Sequence, residues 1–502
     1  MNFLELLDGA AVLAQQGNPD ISGLDYDSRR VQPGWCFVAM QGGTTNGSRY
    51  INAALRAGAV AIVSDSLPPR ERIPWAQVTH GRRALARLSA NFYGRPAERL
   101  SITGITGTNG KTTTTFLLNA MLRSAGRKSA LLGTVEYRIG DNVVASAHTT
   151  PEALELNQVF VRTLDAECTE VVMEVSSHAL DQERVYGIPF DVAVFTNLTR
   201  DHLDYHATME NYFASKAQLF RGEGVEPPRV AVVNVEDEYG RQLIELCRKR
   251  QEVVTYGVEG GNFHAEDVDI ASNGTRFRLV TPGGDIPLWS PLLGRVNVYN
   301  VIAAAAAAVA RGVDQNAISE ATTQLTQVAG RFERVDVGQP FTVIVDYAHT
   351  DDALRNLTSV ARNFLAQHGS SGQIISVFGC GGDRDRAKRP LMGEAAGRGS
   401  DFVVLTSDNP RSENPIDIMN DALPGLQRTG TGYTLEPDRR RAIAAAIAEA
   451  RSGDIVLIAG KGHEKVQVMR DGSEPFDDLE VARKALLDAG YGAPEAAEVT
   501  NS

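Results

Sequence analysis

One segment of this 502-residue chain, SITGITGTNGKTTTTF at residues 101–116, constrains its fold more than any other. A β-branched run leads into a glycine-rich turn that ends in Gly110, Lys111 and Thr112 and opens a helical pattern. Backbone N–H groups in such a turn point at a phosphate, the lysine neutralises the β- and γ-phosphates, and the threonine hydroxyl meets Mg²⁺. The segment therefore predicts a strand, a phosphate-binding loop and a helix within an α/β nucleotide-binding domain.

The spacing of this loop is irregular. The usual pattern has a glycine five residues before Gly110, where this chain has Ile105, and the other glycines stand at Gly104 and Gly107. An ordinary corner between a strand and a helix, without a ligand, is the alternative. The placement of Lys111 directly after a strand and a glycine turn favours the phosphate site.

Length, charge and cysteine usage limit the remaining possibilities. A chain of 502 residues exceeds a single core and suggests about three domains. The formal charge of −12 argues against a nucleic-acid partner, so anionic substrates must meet local basic clusters. Residues 384–389 form one such cluster, although a solvated basic face is the alternative. The four cysteines are scattered without a CxxC pair, which favours reduced thiols over disulfides or a zinc site.

The hydropathy pattern offers neither a membrane span nor a secretory signal. No apolar run reaches the length of about eighteen residues that a transmembrane helix needs. The opening residues MNFLELLDGA lack the basic region of a signal peptide. We therefore expect a cytoplasmic protein, and we expect it to be a monomer.

Strand and helix patterns predict an α/β protein of three domains. Residues 1–98 form a small α/β unit, and a break at Tyr93-Gly94-Arg95-Pro96 precedes the phosphate-loop strand. Residues 99–330 alternate short apolar strands with helices, as a doubly wound parallel sheet does. Residues 331–502 repeat an apolar strand followed by a polar loop four times, which predicts a Rossmann-like domain with these loops along one crevice.

Three residues of the central region suggest chemistry beside the phosphate loop. Glu174 and His202 follow predicted strands, and a carboxylate with an imidazole can hold Mg²⁺ against ATP. The alternatives are a Glu174 carboxylate bonded to a turn, and His206 in place of His202. Lys216 lies within an apolar helical stripe, so its stem could cover apolar surface while its amine reaches water.

The loop TGTNGKTT at residues 106–113 resembles the ATP site of the Mur ligase family. Segments that resemble other motifs of this family span nearly the whole chain: Asp27-Ser28-Arg29, Thr149-Thr150-Pro151-Glu152, Glu174-Val175-Ser176-Ser177-His178, Asp346-Tyr347-Ala348-His349-Thr350, Asp408-Asn409-Pro410-Arg411 and Gly460-Lys461-Gly462-His463-Glu464. The resemblance implies an ATP-dependent, Mg²⁺-requiring ligase of peptidoglycan synthesis. The implied reaction joins meso-diaminopimelate to UDP-N-acetylmuramoyl-L-alanyl-D-glutamate through an acyl phosphate.

The resemblance also implies four groups of site residues. The ATP group is Gly107, Thr108, Asn109, Gly110, Lys111, Thr112, Thr113, Asn297, Asn300, Arg331, Asp346 and His349. The UDP-sugar-dipeptide group is Tyr26, Ser28, Gly43, Thr44, Thr45, His148, Thr149, Thr150, Ser176, Gln182 and Arg184. The diaminopimelate group is Arg384, Asp408, Asn409, Pro410, Arg411, Gly460 and Glu464. The catalytic and metal-binding group is Lys111, Thr112, Glu174, His202 and Lys216, with Lys216 carrying a carbamate derived from CO₂ that helps to position a second Mg²⁺.

Two of these assignments have local alternatives. Asn297 could instead cap the N-terminus of a helix. The small polar residues of the dipeptide group could equally form turns. The family often has a proline after the DYAHT segment, where this chain has Asp351. The resemblance therefore does not predict the conformation of the turn at that point.

Three other functions compete with this one. A lysine-adding homologue is disfavoured by Arg411, because guanidinium groups suit the extra carboxylate of diaminopimelate. A folylpolyglutamate synthetase-like ligase is disfavoured by the DSR segment and by the first domain. A nucleotide-driven switch or motor usually ends the next hydrophobic strand in aspartate, where this chain has Glu174.

Overall fold

The computed structural model describes residues 1–42, 45–66, 73–146, 148–271, 273–367 and 369–492. Its helices and strands form three successive α/β regions, as the sequence predicts. Within these described ranges, no helix has both the length and the apolar character that crossing a bilayer requires.

The first region is built on a five-stranded sheet. Its elements are α1 (Phe3–Leu6), β1 (Val12–Gln16), β2 (Gly23–Asp25), β3 (Trp35–Ala39), α2 (Ile51–Arg56), β4 (Ala61–Ser64), β5 (Trp75–Val78) and α3 (Gly81–Phe92). The strand order is β1-β5-β4-β3-β2, with β1 antiparallel to β5 and the other pairs parallel. A short 3₁₀ helix at Pro96–Arg99 leads from this region into the next.

The central region contains the phosphate loop. Its elements are β6 (Ser101–Thr106), α4 (Lys111–Ser124), β7 (Ser129–Leu132), β8 (Glu136–Ile139), β9 (Asn142–Ala145), α5 (Ala153–Asp165), β10 (Glu170–Glu174), α6 (Ser177–Asp181), β11 (Phe190–Phe195), α7 (Leu203–His206), α8 (Met209–Arg221), β12 (Val230–Asn234), α9 (Glu238–Cys247), β13 (Glu252–Tyr256), β14 (His264–Ala271), β15 (Gly274–Val280), β16 (Ile286–Ser290), α10 (Arg295–Ala310) and α11 (Gln315–Gln324).

An eight-stranded sheet places the phosphate loop at its centre. The order is β13-β12-β11-β6-β10-β7-β8-β9, and the pairs from β13 to β7 are parallel. All five residues of β10 are buried, because helices cover both faces of a parallel sheet. The strand β6 lies between β10 and β11, so the loop after β6 opens beside the carboxyl ends of both neighbours. The separate antiparallel sheet β14-β15-β16 was not predicted from the sequence.

The third region is a second, mostly parallel sheet. Its elements are β17 (Glu333–Val335), β18 (Thr342–Asp346), α12 (Asp351–Gln367), β19 (Ile374–Cys380), α13 (Lys388–Gly399), β20 (Phe402–Ser407), α14 (Pro415–Gln427), β21 (Gly432–Leu435), α15 (Arg439–Glu449), β22 (Ile455–Ala459), β23 (Val466–Met469), β24 (Gly472–Pro475) and α16 (Asp478–Asp488). The order is β17-β18-β22-β19-β20-β21. The four predicted loop-bearing strands, β18, β22, β19 and β20, are therefore neighbours, and their loops share one edge.

The unusual residue Asp351 starts a helix. The Thr350 hydroxyl accepts a hydrogen bond from Ala353 N at 3.1 Å, which caps α12. The Asp351 carboxylate pairs with Arg355 one turn later at 2.7 Å. A carboxylate in the first turn interacts favourably with the helix dipole, so Asp351 supports the helix start at the position where a proline was expected from the resemblance.

Candidate active site

The phosphate loop is shaped by two glycines in the left-handed region. Gly107 has φ of 147° and Gly110 has φ of 86°. A Cβ added at Gly107 would lie 1.9 Å from Thr196 Oγ1, so only glycine fits there. The loop is also held by Asn197, whose Oδ1 accepts from Asn109 N at 2.9 Å. The sequence analysis did not predict a role for Asn197, because an asparagine after a strand is common in loops and carries no specific signal.

Two cationic side chains, one carboxylate and one hydroxyl meet at the start of α4. Lys111 Nζ donates to the carbonyls of Gly107 and Thr108 at 2.9 and 2.8 Å, and burial lowers the pKa of Lys111. Thr112 Oγ1 donates to Glu174 Oε2 at 3.1 Å. Arg331, from the third region, donates to the same hydroxyl at 3.2 Å. The predicted ammonium, hydroxyl, carboxylate and guanidinium groups are thus adjacent.

Glu174 is fully buried at the end of β10. Besides Thr112, it accepts from the backbone N of Thr134 at 2.8 Å and from the Thr134 hydroxyl at 3.1 Å. Because Thr134 lies in the turn after β7, the Glu174 carboxylate is indeed bonded to a turn, as the alternative interpretation predicted. The same carboxylate also faces the phosphate loop.

Lys216 does not reach water. Its side chain is 2% exposed, and Nζ donates to Gly107 O of the phosphate loop at 2.8 Å. The amine also lies 4.6 Å from the centre of the Tyr212 ring. Burial, and next the charge of Lys111, hold the pKa of Lys216 well below its usual range. The snorkelling interpretation is wrong, because the surrounding helices and the phosphate loop enclose the amine.

Asp201 joins the central and third regions at a buried ionic contact. Its carboxylate lies 3.3 Å from Lys388 Nζ, 3.3 Å from His202 Nε2 and 3.6 Å from His349 Nε2. Burial opposes ionisation, yet the hydrogen bond from His349 and the charge of Lys388 hold the pKa of Asp201 well below its usual range. Burial lowers the pKa of His202 to about 3, so its imidazole is neutral and can act as a ligand. Asp201 was missed, although its place beside His202 could have indicated it.

The basic run at residues 384–389 divides between surface and core. Arg384 and Arg386 are exposed, as a solvated face requires. Lys388 is buried against Asp201, and Arg389 is fully buried between Glu413 at 2.7 Å and Asp421 at 2.8 Å. The solvated-face interpretation is therefore wrong for Lys388 and Arg389.

A cavity of ≈ 370 Å³ lies between the phosphate loop and the third region. Eight of the predicted ATP residues line it: Asn109, Gly110, Thr112, Thr113, Asn297, Asn300, Arg331 and Asp346. Its wall also contains Leu293, Val296, Tyr299, Leu357 and Val360, an apolar surface that suits a planar base. Gly107, Thr108, Lys111 and His349 are not among its lining residues.

Asn297 does not cap α10. Gly294 occupies the N-cap position, and Asn297 donates instead to Leu293 O at 2.8 Å. Its Oδ1 accepts from Asn300 Nδ2 at 2.9 Å. Asp346, at the end of β18, accepts from the backbone N of Phe332 at 2.7 Å, and burial raises its pKa.

Predicted dipeptide residues form a polar network on the other side of Glu174. Thr150 Oγ1 donates to Glu174 O at 2.9 Å and accepts from Ser176 N at 3.1 Å. Arg184 donates to Thr150 O at 3.0 Å and to Gln182 Oε1 at 2.8 Å. The Ser176 hydroxyl accepts from Ala179 N at 3.1 Å and caps α6, so this side chain also has a local structural role.

The remaining members of the dipeptide group are more dispersed. Thr149 shares a hydrogen bond of 3.0 Å with Thr134, and the carbonyl of His148 accepts from Tyr137. Tyr26 donates to Glu155 of α5 at 3.1 Å, which ties the first region to the central one. Ser28 lies in the first region, and Thr45 O accepts from Gly42 N at 2.8 Å. The predicted residues Gly43 and Thr44 lie outside the described residues.

Two arginines lie beside the loop after β19. A Cβ added at Gly381 would be 3.0 Å from Arg411 Nη1 and 3.6 Å from Arg384 Cγ. Arg411 has φ of 53° and donates to Gly382 O at 2.8 Å. Burial, and next the charge of Arg384, lower the pKa of Arg411. Two neighbouring cations that repel each other form a receptive place for a carboxylate.

Two carboxylates of the predicted acceptor group, Asp408 and Glu464, act electrostatically on Arg411. Asn409 Nδ2 donates to Glu464 Oε2 at 2.8 Å, and Asp408 is buried beside Gly460. Pro410 O packs against Gly382, where a Cβ would lie 1.9 Å away. Cations and carboxylates thus lie within electrostatic range of each other, which suits a zwitterionic ligand.

Comparisons with known proteins agree along the chain. Family models match at residues 20–93 (Mur ligase family, catalytic domain), 105–308 (Mur ligase middle domain) and 330–462 (Mur ligase, glutamate ligase domain). A UDP-N-acetylmuramoyl-L-alanyl-D-glutamate–2,6-diaminopimelate ligase of Solibacter usitatus is 52% identical over 497 residues, covering 98% of this chain and 99% of the relative.

Solved structures show the same arrangement. A structure of a UDP-N-acetylmuramoyl-L-alanyl-D-glutamate–2,6-diaminopimelate ligase matches with a TM-score of 0.67 and 34% identity, over 97% of this chain and 99% of that one. A MurF ligase of Thermotoga maritima in complex with ADP matches with a TM-score of 0.59 and 19% identity, over 93% of this chain and 98% of that one, which shows the fold alone.

Proposed function

Because the chain belongs to the Mur ligase family, we propose that it is the ATP-dependent ligase that adds meso-diaminopimelate to UDP-N-acetylmuramoyl-L-alanyl-D-glutamate in peptidoglycan synthesis. The observation that carries this proposal is the pair Arg384 and Arg411 in the crevice of the third region. That region also supplies Arg331, which contacts the phosphate loop at Thr112. Nucleotide and acceptor amino acid therefore belong to one site.

The reaction proceeds in two steps. A side-chain carboxylate oxygen of the dipeptide's D-glutamate bonds to the γ-phosphorus of ATP, and the bond to the β-phosphate oxygen breaks, releasing ADP. The diaminopimelate amine then attacks the carbonyl carbon of the acyl phosphate, loses a proton and expels inorganic phosphate. Lys111 and Arg331 stabilise the developing phosphate charge, and the enclosed site aligns the reactants.

The residues beside the phosphate loop fit a magnesium site. Thr112 and Glu174 present hard oxygen atoms 3.1 Å apart, and His202 has a neutral imidazole. Magnesium prefers oxygen ligands, takes few from protein and keeps several waters. When bound there, Mg²⁺ supplies the positive charge that lets a carboxylate approach a triphosphate.

We propose further that Lys216 carries a carbamate. A buried amine with a lowered pKa is uncharged more often than an ordinary lysine, and the neutral amine is the form that attacks CO₂. Its nitrogen bonds to the carbon of CO₂ and releases a proton, which leaves an anionic carbamate. The amine contacts a backbone carbonyl and an aromatic face, and neither balances an ammonium charge. The carbamate would supply oxygen atoms that help to position a second Mg²⁺ beside His202.

The domain boundaries 1–98, 99–330 and 331–502 are also proposals. Each of the large sheets draws its strands from one of these ranges, which supports the boundaries. We propose that the enzyme acts as a monomer in the cytoplasm, where ATP and the UDP-linked precursor are available.

A coupled assay of ADP release tests the function and the acceptor together. We expect turnover to require UDP-N-acetylmuramoyl-L-alanyl-D-glutamate, and kcat/KM for meso-diaminopimelate to exceed that for L-lysine by on the order of 10³-fold, because lysine leaves the arginines unpaired. The variant Arg411→Leu should lose most of this preference. Equal rates with both acceptors would contradict the assignment, and turnover without the UDP-linked dipeptide would indicate a nucleotide-driven switch.

The Asp201 contact predicts a role in domain closure. In Asp201→Asn, the neutral amide keeps its shape but leaves Lys388 buried without a counter-charge, so we expect kcat to fall about 30-fold or more. The dissociation constant of ATP, measured by calorimetry, should change less than threefold. Arg200→Gln is the control, since Arg200 pairs across the same interface with a partly exposed side chain and should lose less than about twofold. Wild-type kcat in Asp201→Asn would contradict the prediction.

A further inference from the structure

A buried lysine lies beside the acceptor residues without belonging to any group named above. Lys461 follows β22, and its side chain is 0% exposed. Its Nζ donates to Asn409 Oδ1 at 3.0 Å and to Glu464 Oε2 at 3.0 Å, and it lies 3.8 Å from Asp408 Oδ1. Lysines are almost never buried unless they are paired, so these three partners account for its position.

Lys461 determines the orientation of the Asn409 amide. Asn409 Oδ1 accepts from both Lys461 Nζ and the backbone N of Val468, the latter at 2.9 Å. With the oxygen side occupied by two donors, the Nδ2 side must point the other way, and it donates to Glu464 Oε2 at 2.8 Å. Without the ammonium group of Lys461, the Asn409 oxygen keeps only one of the two donors that fix the amide against a flip that exchanges its oxygen and nitrogen.

Lys461 also balances charge at this end of the crevice. The Glu464 carboxylate is buried enough to resist ionisation, yet the charge of Lys461 lowers its pKa. Asp408 is 6% exposed, and its Oδ1 is buried with no hydrogen-bond partner among the described residues. Burial raises the pKa of Asp408, and the charges of Arg439 and Lys461 oppose this rise. Lys461 thus lies between two carboxylates and interacts with both.

We propose that Lys461 is a positioning residue for the acceptor amino acid. It holds Asn409 and Glu464 in one arrangement, so that their remaining hydrogen-bonding positions meet the ammonium and carboxylate groups of the acceptor's amino-acid end. This inference rests on the proposed function of the crevice. Lys461 does not touch the substrate itself and acts through Asn409 and Glu464.

Steady-state kinetics of Lys461→Met test this role. We expect KM for diaminopimelate to rise at least about 30-fold, because removing one partner of a buried charge pair leaves the others misplaced. KM for ATP and for the UDP-linked dipeptide should change less than twofold, and kcat less than about threefold. Lys465→Met is the matched control, since Lys465 lies in the same segment, is 61% exposed and pairs with Asp477. It should behave as the wild type.

A double-mutant cycle separates positioning from general stability. If Lys461 acts through Glu464, the effects of Lys461→Met and Glu464→Gln on KM are strongly non-additive. Additive effects, or an equal rise of KM for all three substrates, would overturn the proposal.

Two further outcomes are informative. Should Lys461→Met fail to fold, as judged by near-ultraviolet circular dichroism, Lys461→Gln replaces the ammonium group by a shorter, neutral amide that no longer supports the Glu464 carboxylate. An unchanged KM for diaminopimelate in Lys461→Gln would then also overturn the proposal. If the wild-type enzyme makes no tripeptide from diaminopimelate, the proposed function is wrong. If the wild-type enzyme makes the tripeptide and the Lys461 variants behave like it, only the positioning role of Lys461 is wrong.

Discussion

Replacing Lys111 with methionine is expected to lower the rate of tripeptide formation by on the order of 10³-fold or more, because a preorganised charge on the transferring phosphate is lost. Methionine has a similar length and no charge, so the phosphate loop keeps its packing. The amine donates hydrogen bonds to the loop carbonyls of Gly107 and Thr108, and the loss of these bonds should lower the melting temperature modestly. Product formation is measured by chromatography of the UDP-linked tripeptide.

The control for this experiment is Lys128→Met. Lys128 is in the same region, its side chain is 60% exposed, and it pairs with Glu167 at the surface. We expect wild-type activity, because exposed ion pairs contribute little to stability. Tripeptide accumulation by Lys111→Met at the wild-type rate would refute the phosphate-loop assignment, and with it the nucleotide site.

The variant Lys216→Ala is expected to lose turnover by a comparable factor, on the order of 10³-fold, because the site would lose the proposed anionic carbamate and its charge balance. Added bicarbonate should not restore this variant. In the wild type, removing dissolved CO₂ and bicarbonate should lower activity, and readdition should restore it. With ¹³C-labelled bicarbonate, a carbamate resonance should appear in the wild type and be missing from Lys216→Ala.

Lys249→Ala serves as the control for this second experiment, since Lys249 is exposed just after α9. It should retain both full activity and the carbamate resonance. Activity retained in Lys216→Ala would remove the residue from the catalytic group. The wild type could also show no carbamate signal while Lys216→Ala is still inactive. That result would instead assign the free amine a role as a hydrogen-bond donor to Gly107 O.

Much of the architecture was predictable because its signals are local. The parallel strands β10 and β11 read as apolar runs, since both of their faces are buried. The phosphate loop is a contiguous motif whose glycines are required by backbone conformation. The family resemblance, built on such contiguous motifs, is confirmed by matches over nearly the whole chain. The three-stranded sheet β14-β15-β16 was not predicted, because its strands are partly exposed and carry many charged residues.

Side-chain environments were predicted less well, because they depend on residues far apart in the chain. The local sequence of Lys216 is compatible with a snorkelling side chain. In the structure, its amine donates to Gly107 O, which is 109 residues away in the chain. Asp201 and Lys388 are 187 residues apart and belong to different regions, so nothing in either local segment indicates their contact. The orientation of Asn409 likewise depends on Lys461 and Val468.

The amino-acid sequence by itself determined the α/β class, the phosphate loop and the family, because strand burial and glycine-dependent turns are written in consecutive residues. Only the tertiary structure decided which charges share a buried environment. Burial and pairing set the charge state of Lys216, Asp201 and Glu464, and both arise when distant loops meet at the carboxyl ends of two sheets.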